Sequence, residues 1–340
     1  MPSLMWSEVR EIPDAVAGFL DKELAATTAI ADEAAARDPA FIVTVARGSS
    51  DHACSYLKYV AELTLGLPVA SIGPSVASVY GAPLRLERSL CLAVSQSGKS
   101  PDIVEMARAA RATGSFAIAV TNEPGSPLAK TCDRVLNIRA GREQSVAATK
   151  TFVTSAVAGL TLLASWRKDQ ALLAAIRRLP DRLADAVNCD WTPLAERLIT
   201  AQSLYTLGRG PSFAISGEAA LKFKETCQIH AENYSSAEVL HGPVSIVGQG
   251  FPILGLAAAD AAEPGLAEVA DAMAEKGASV FVTSERVRRA ICLPAVRTGH
   301  PLTDPIALIA SFYAMVEQVA VARGVDPDKP RHLRKVTETV

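Results

Sequence analysis

Apolar residues in this chain come in short unbroken runs and in helically spaced stripes, and the two alternate. FIVTVARGSS, starting at residue 41, is a run of β-branched and apolar side chains ended by Gly48, the pattern of a strand buried on both faces. DHACSYLKYVAELTLG follows with helical spacing and stops at Gly66. A short strand PVASIG, a helical piece, the strand SLCLAVS, the helix SPDIVEMARAARATG and the strands FAIAVTN and RVLNIRA continue the alternation. Such strands, separated by helices, predict a parallel sheet covered on both faces. A long helix, AATKTFVTSAVAGLTLLASWRK, then leads through LLAAIRRLPDRLADAV into the second half.

The second half repeats the first. FIVTVARGSS returns as SLYTLGRGPS, CLAVSQSG as ILGLAAAD and ATGSFAIAVT as EKGASVFVT, all at an offset of roughly 162 residues. The prediction is therefore an α/β chain of two tandem doubly wound, flavodoxin-like parallel-sheet domains. A lead segment covers residues 1–25, the first domain 26–175, the second 185–325, and a polar tail 326–340.

The copies differ where chemistry is expected. Ser95, Gln96, Ser97, Gly98, Lys99 and Ser100 follow one strand and open a helix at Pro101, whereas the second copy reads Ala257, Ala258, Ala259 and Asp260. Ligands of open parallel sheets bind at the carboxyl ends of strands, and a helix N-terminus there favours an anion. Hydroxyls from the three serines and a glycine that lets backbone approach suit a phosphate. Taken alone, the stretch also fits an ordinary strand-to-helix turn with Ser100 as N-cap. It has neither the GxxxxGK[ST] nor the GxGxxG spacing.

Composition narrows the partners. The 340 residues carry 34 Lys and Arg against 36 Asp and Glu, a net charge of -2, so nothing electrostatic points to nucleic acid or a membrane surface. The N-terminus lacks a signal peptide's apolar core, and the longest apolar run, around SAVAGLTLLASW, is too short to span a bilayer. Six scattered cysteines without a CxxC read as reduced thiols, so the chain is expected in the cytoplasm. Neither they nor the five histidines have ligand spacing, so no metal or other cofactor is expected.

The stretches MWSEVREIPDAV, ARGSS, SQSGKSPD, GREQSVAATKTF, LGRGPSFAISGEAALKFKETCQIHAENYSSAEVLHGP and PDKPRHLRKVT span nearly the whole chain in order. On these the sequence resembles the sugar isomerase (SIS) family. It looks most like the isomerase half of glutamine:fructose-6-phosphate amidotransferases, and among single-module chains like the SIS-type glucosamine-6-phosphate deaminases. The resemblance implies a phosphosugar site between the two repeats. Gly48, Ser49, Ser50, Ser95, Gln96, Ser97 and Ser100 would hold the phosphate. Glu225 would shuttle a proton between C1 and C2 with Lys222 assisting. His241, given by the neighbouring subunit of a homodimer, would open the sugar ring, and Lys335 would form a Schiff base with the open-chain ketose. The sequence departs from the pattern at Ala148, where a sugar-contacting serine is usual, and at Lys99, where an acidic residue is usual; nothing resembling the glutamine-hydrolysing domain precedes MPSLMWSEVREIP.

The residues can also be read without the family. Glu218, Lys222 and Glu225 fall on one helical face after Arg209-Gly210, where a carboxylate can take a proton from a carbon beside a carbonyl; a surface Glu–Lys pair has the same spacing. His241 stands before a Gly-Pro turn and titrates near neutrality, though a lone loop histidine is commonly structural. His230 reads as a packed residue in the preceding helix. Lys335 lies in a basic tail that either folds into the site or is a plain basic end. These readings give a deaminating isomerase of a hexosamine 6-phosphate. A plain phosphosugar isomerase or deglycase, and a sugar-phosphate sensor without turnover, are the alternatives.

Overall fold

Unbroken apolar runs become strands here, and every strand pair is parallel. A computed structural model describes residues 2–335. The chain opens with α1 (Leu4–Arg10), α2 (Ile12–Ala36), β1 (Phe41–Val45), α3 (Ser49–Leu65), β2 (Val69–Ser71) and α4 (Ser75–Ser78). Next come β3 (Ser89–Val94), α5 (Pro101–Ala112), β4 (Phe116–Thr121), α6 (Pro127–Thr131), β5 (Arg134–Asn137) and α7 (Lys150–Arg167). Helices α8 (Gln170–Arg177), α9 (Leu179–Ala186) and α10 (Thr192–Leu198) lead to β6 (Ser203–Gly208), α11 (Pro211–Cys227) and β7 (His230–Ser235). The last elements are β8 (Pro252–Gly255), α12 (Glu263–Glu275), β9 (Ser279–Val282), β10 (Ile291–Cys292) and α13 (Asp304–Ala322).

Two compact units result. The N-terminal unit comprises Asp14–Glu143, Lys150–Arg177 and the segment from Arg334; the C-terminal unit comprises the segment up to Pro13, Gln144–Thr149 and Arg178–Leu333. Each has one five-stranded sheet. The orders are β2-β1-β3-β4-β5 and, read from the matching edge, β7-β6-β8-β9-β10, the same flavodoxin-like order twice.

Within the N-terminal unit β3 and β4 are buried along their whole length, as their lack of polar alternation requires. Helix α7 is buried almost throughout and packs on α3, where Gly159 leaves room for the side chain of Leu57. In the C-terminal unit α13 plays the corresponding core role. It corrects the expectation about apolar runs: among the described residues Asp304–Ala322, not the α7 stretch, is the helix long and apolar enough to cross a membrane, and 83% of its apolar window is buried inside the protein.

The repeat extends to backbone conformation. Gly48 (φ 54°, ψ -132°) precedes the 17-residue α3, and Gly210 (φ 60°, ψ -138°) precedes the 17-residue α11. These angles suit a residue without Cβ. Both helices end on a left-handed residue, Gly66 in one and Gln228 in the other. That left-handed Gln228 stops α11, so His230 is the first residue of β7 rather than a helical residue as the sequence suggested.

Candidate functional site

The serine loop expected to hold a phosphate is assembled at the point where the N-terminal sheet's connections diverge. Neighbouring strands β1 and β3 pair Val45 with Ala93, so Gly48-Ser49-Ser50 and Ser95–Ser100 leave the sheet at adjoining strand ends. Ser95 is buried, and its Oγ accepts the Gly98 N–H at 3.2 Å. The Gln96 carbonyl accepts from Asn122 N at 3.1 Å and Thr121 Oγ1 at 3.2 Å, which ties the loop to the end of β4. Ser97 Oγ accepts from Lys99 N at 3.3 Å. Gly98 has φ +60°, and a Cβ there would overlap Ser126, so only glycine lets the loop close. Ser100 holds the N-cap position with Pro101 after it, yet its hydroxyl makes no cap bond. Ser100 thus takes the N-cap position without the capping bond. Ser49 and Ser50, both half-buried, open α3. Burial raises the carboxyl pKa of Asp51 on the same turn.

The same unit holds Lys335. Its Nζ lies 2.6 Å from Glu143 Oε2, and the Glu143 side chain is wholly buried. Glu143 also accepts from Thr151 N at 3.1 Å and Thr151 Oγ1 at 2.7 Å at the start of α7. Lys335 is thus attached to a core helix through one carboxylate.

In the C-terminal unit the residues expected on one helical face are together. Lys222 is buried, donates to Glu225 and lies 3.5 Å from Glu218; Glu218 in turn accepts from Tyr313 OH at 2.8 Å. Burial alone would lower the Lys222 pKa, but the two carboxylates outweigh it and raise the value, so the ammonium persists at neutral pH. Glu225 is only partly covered, with a side-chain exposure of 22%. Gly208 allows this placement: a Cβ there would overlap the Ser212 backbone in the first turn of α11.

His241 ends a 3-10 turn, Glu238–His241, and is exposed, as are Leu240 and Ile246 beside it. Tyr205 OH donates to the Pro243 carbonyl at 3.1 Å and anchors the loop from β6. Among the described residues no hydrogen bond or ion pair joins His241 to Glu225. Ala148 is half-buried in the Gln144–Thr149 segment. Glu8 holds that segment by accepting the Gln144 and Ser145 amides, and the Asp328 carbonyl accepts from Val146 N at 3.4 Å. Sequence reading passed over Glu8, Glu143 and Asp328, since nothing local marks the partners of a carboxylate more than a hundred residues away.

The counterpart of the serine loop is filled from within. Asp304 Oδ2 accepts the Ala259 N–H at 2.9 Å, and Thr283 Oγ1 accepts the Ala257 N–H at 2.8 Å. The Asp304 carboxylate takes one backbone donor of this turn and the Thr283 hydroxyl takes the other named here.

Other nucleophiles are poorly placed. Burial raises the thiol pKa of Cys54, Cys91, Cys132 and Cys227, to about 12 for Cys132 and Cys227, so none is a thiolate at neutral pH. No three His, Cys, Asp or Glu side chains group as a metal site among the described residues.

Comparison with known proteins gives a consistent picture. The SIS domain matches twice, at residues 37–165 and 197–323. The glutamine–fructose-6-phosphate aminotransferase (isomerizing) of Symbiobacterium thermophilum is 34% identical over 97% of this chain and 58% of its own length. The chain spans a little over half the length of the curated relatives it matches. A Silicibacter pomeroyi protein assigned as a phosphosugar isomerase is 61% identical, with TM-score 0.93 over 96% of this chain and 100% of the other. The C-terminal domain of glucosamine-fructose-6-phosphate aminotransferase from Francisella tularensis is 25% identical, with TM-score 0.86 over 97% and 99% of the two chains.

Proposed function

Because the chain belongs to the SIS domain family, we propose that it is an aldose–ketose isomerase of phosphosugars. Its substrate is a hexosamine 6-phosphate, converted to the ketose phosphate with release of ammonia. The observation that carries this reading is the Lys222–Glu225 pair behind the Gly208-Arg209-Gly210 turn, a half-open carboxylate backed by a buried cation. In the reaction Glu225 removes the C2 proton of the open-chain amino-aldose and returns a proton to C1. The C2 amine becomes an imine, and water hydrolyses it to the ketone and ammonia. The serine loop holds the phosphate. Lys335 condenses with the open-chain ketose as a Schiff base, losing water and regaining it on release. The names of the relatives, an isomerizing aminotransferase and an assigned phosphosugar isomerase, support the class of chemistry.

We further propose a homodimer in which each subunit lends His241 to the other, a reading supported by the exposed Leu240 and Ile246 near it in sequence, which suit a protein contact. Six free thiols support a cytoplasmic setting.

The test measures ammonia release, and exchange of the C1 and C2 protons with solvent, for glucosamine, galactosamine and fructosamine 6-phosphates. Ammonia from a 2-amino-aldose phosphate is the expected result. Proton exchange without ammonia favours a plain isomerase, the reading that the Silicibacter pomeroyi relative supports. Ammonia only from the 1-amino-ketose identifies a deglycase, and neither signal with any substrate leaves a sensor.

A further inference from the structure

Asp102 lies in the first turn of α5, at the helix end that opens the serine loop, and its carboxylate is completely buried. A buried anion at that position opposes the binding of a phosphate dianion. Its own contacts meet this problem only in part: Oδ1 accepts the Ile103 N–H at 2.8 Å. The other oxygen receives both Nε and a terminal nitrogen of Arg47. Arg47 follows β1 and immediately precedes Gly48, so the pair bridges the two turns that carry Ser49-Ser50 and Ser95–Ser100. Much of the guanidinium remains open to solvent, its side-chain exposure being 47%. The second repeat keeps the arginine as Arg209 but has Pro264 at the offset matching Asp102, and there the anion loop is gone too.

We propose that Arg47 sets the charge and the spacing of the anion loop. By neutralising Asp102 and tying the β1 turn to the α5 turn, it acts as a positioning residue for phosphate binding. The inference rests on reading Ser95–Ser100 as the phosphate site. A buried charge tolerates loss of its partner poorly, whereas removal of both charges leaves no such penalty. That asymmetry makes the role testable.

The experiment measures the dissociation constant of inorganic phosphate by calorimetry, and kcat and KM with glucosamine 6-phosphate, for R47M, R47K, D102N, R47M/D102N and S97A/S100A. R47M should weaken phosphate and raise KM about tenfold, the effect of one uncompensated charge near a dianion, with kcat within about twofold. R47K should lie between R47M and wild type, since lysine restores the charge but not the two-pronged contact. The double variant R47M/D102N should return to within about twofold of wild type. Should R47M not fold, the double variant and R47K decide: wild-type affinity in the first and partial loss in the second support the role. Unchanged phosphate affinity in R47M, or a double variant as weak as the single, overturns it. If S97A/S100A weakens phosphate while R47M does not, only the role of Arg47 falls. If neither weakens it, the reading of the loop falls as well.

Discussion

Lys222 donates to Glu225 one turn further along α11, while Glu218 stands 3.5 Å from the same ammonium on its other side. One buried cation therefore orients a carboxylate that reaches the surface, and the helix spacing alone makes the arrangement. Two expectations follow from it directly.

Glu225→Gln keeps size and most hydrogen bonding but removes the base. Turnover should fall by about 10²–10⁴-fold. Thermal stabilisation by the phosphosugar should persist, because the proposed phosphate loop, Ser95–Ser100, does not include Glu225. Unaltered turnover in the variant would remove Glu225 from the reaction.

The pH dependence of stability has a defined sign at Lys222. Its folded pKa is raised above the ordinary 10.5, so its contribution is complete below that value and is lost as pH rises through the higher folded value. Lys222→Met should cost about 3–5 kcal/mol near neutrality by stranding the buried Glu218. Denaturant titrations of both proteins should show this gap narrowing as pH climbs past the ordinary lysine range, and a constant gap would contradict the assignment.

Phosphate stoichiometry tests the repeat. With Asp304 on the Ala259 amide and Thr283 on the Ala257 amide, the second repeat's turn has these two donors taken, so calorimetry should find one phosphosugar per chain. Two equal sites would show that the second loop is not degenerate. Gly98→Ala should abolish this binding, since the new Cβ meets Ser126 and the positive φ becomes strained.

Packing gives a prediction independent of chemistry. A Cβ on Gly159 would overlap the side chain of Leu57, which is 1% exposed and has little space to move. Gly159→Ala should therefore destabilise the protein by about 1–3 kcal/mol, the usual cost of overpacking, in thermal or denaturant unfolding. An equal or higher melting temperature would mean that α3 and α7 can separate at low cost.

Much of this protein was decided locally and could be read from its sequence. Strand and helix identity depend on apolar periodicity over ten or so residues, so FIVTV and SLYTL already mark equivalent strands. The Glu218, Lys222 and Glu225 face is a property of helical spacing, and the serine loop is one continuous segment. One local inference failed for a local reason, His230, because Gln228 takes up a left-handed backbone; Ser100 holds its N-cap position but without a side-chain bond. Tertiary structure alone decided the long-range pairings. Glu143 meets Lys335 across 192 residues, Asp304 fills the second loop, and Arg47 reaches Asp102 from another turn. Each joins charges or donors that share no periodicity, and for Arg47 and Asp102 it is the pairing of β1 with β3 that brings the two turns to adjoining strand ends. A buried carboxylate must find a partner somewhere, but which partner is set by topology and not by spacing along the chain.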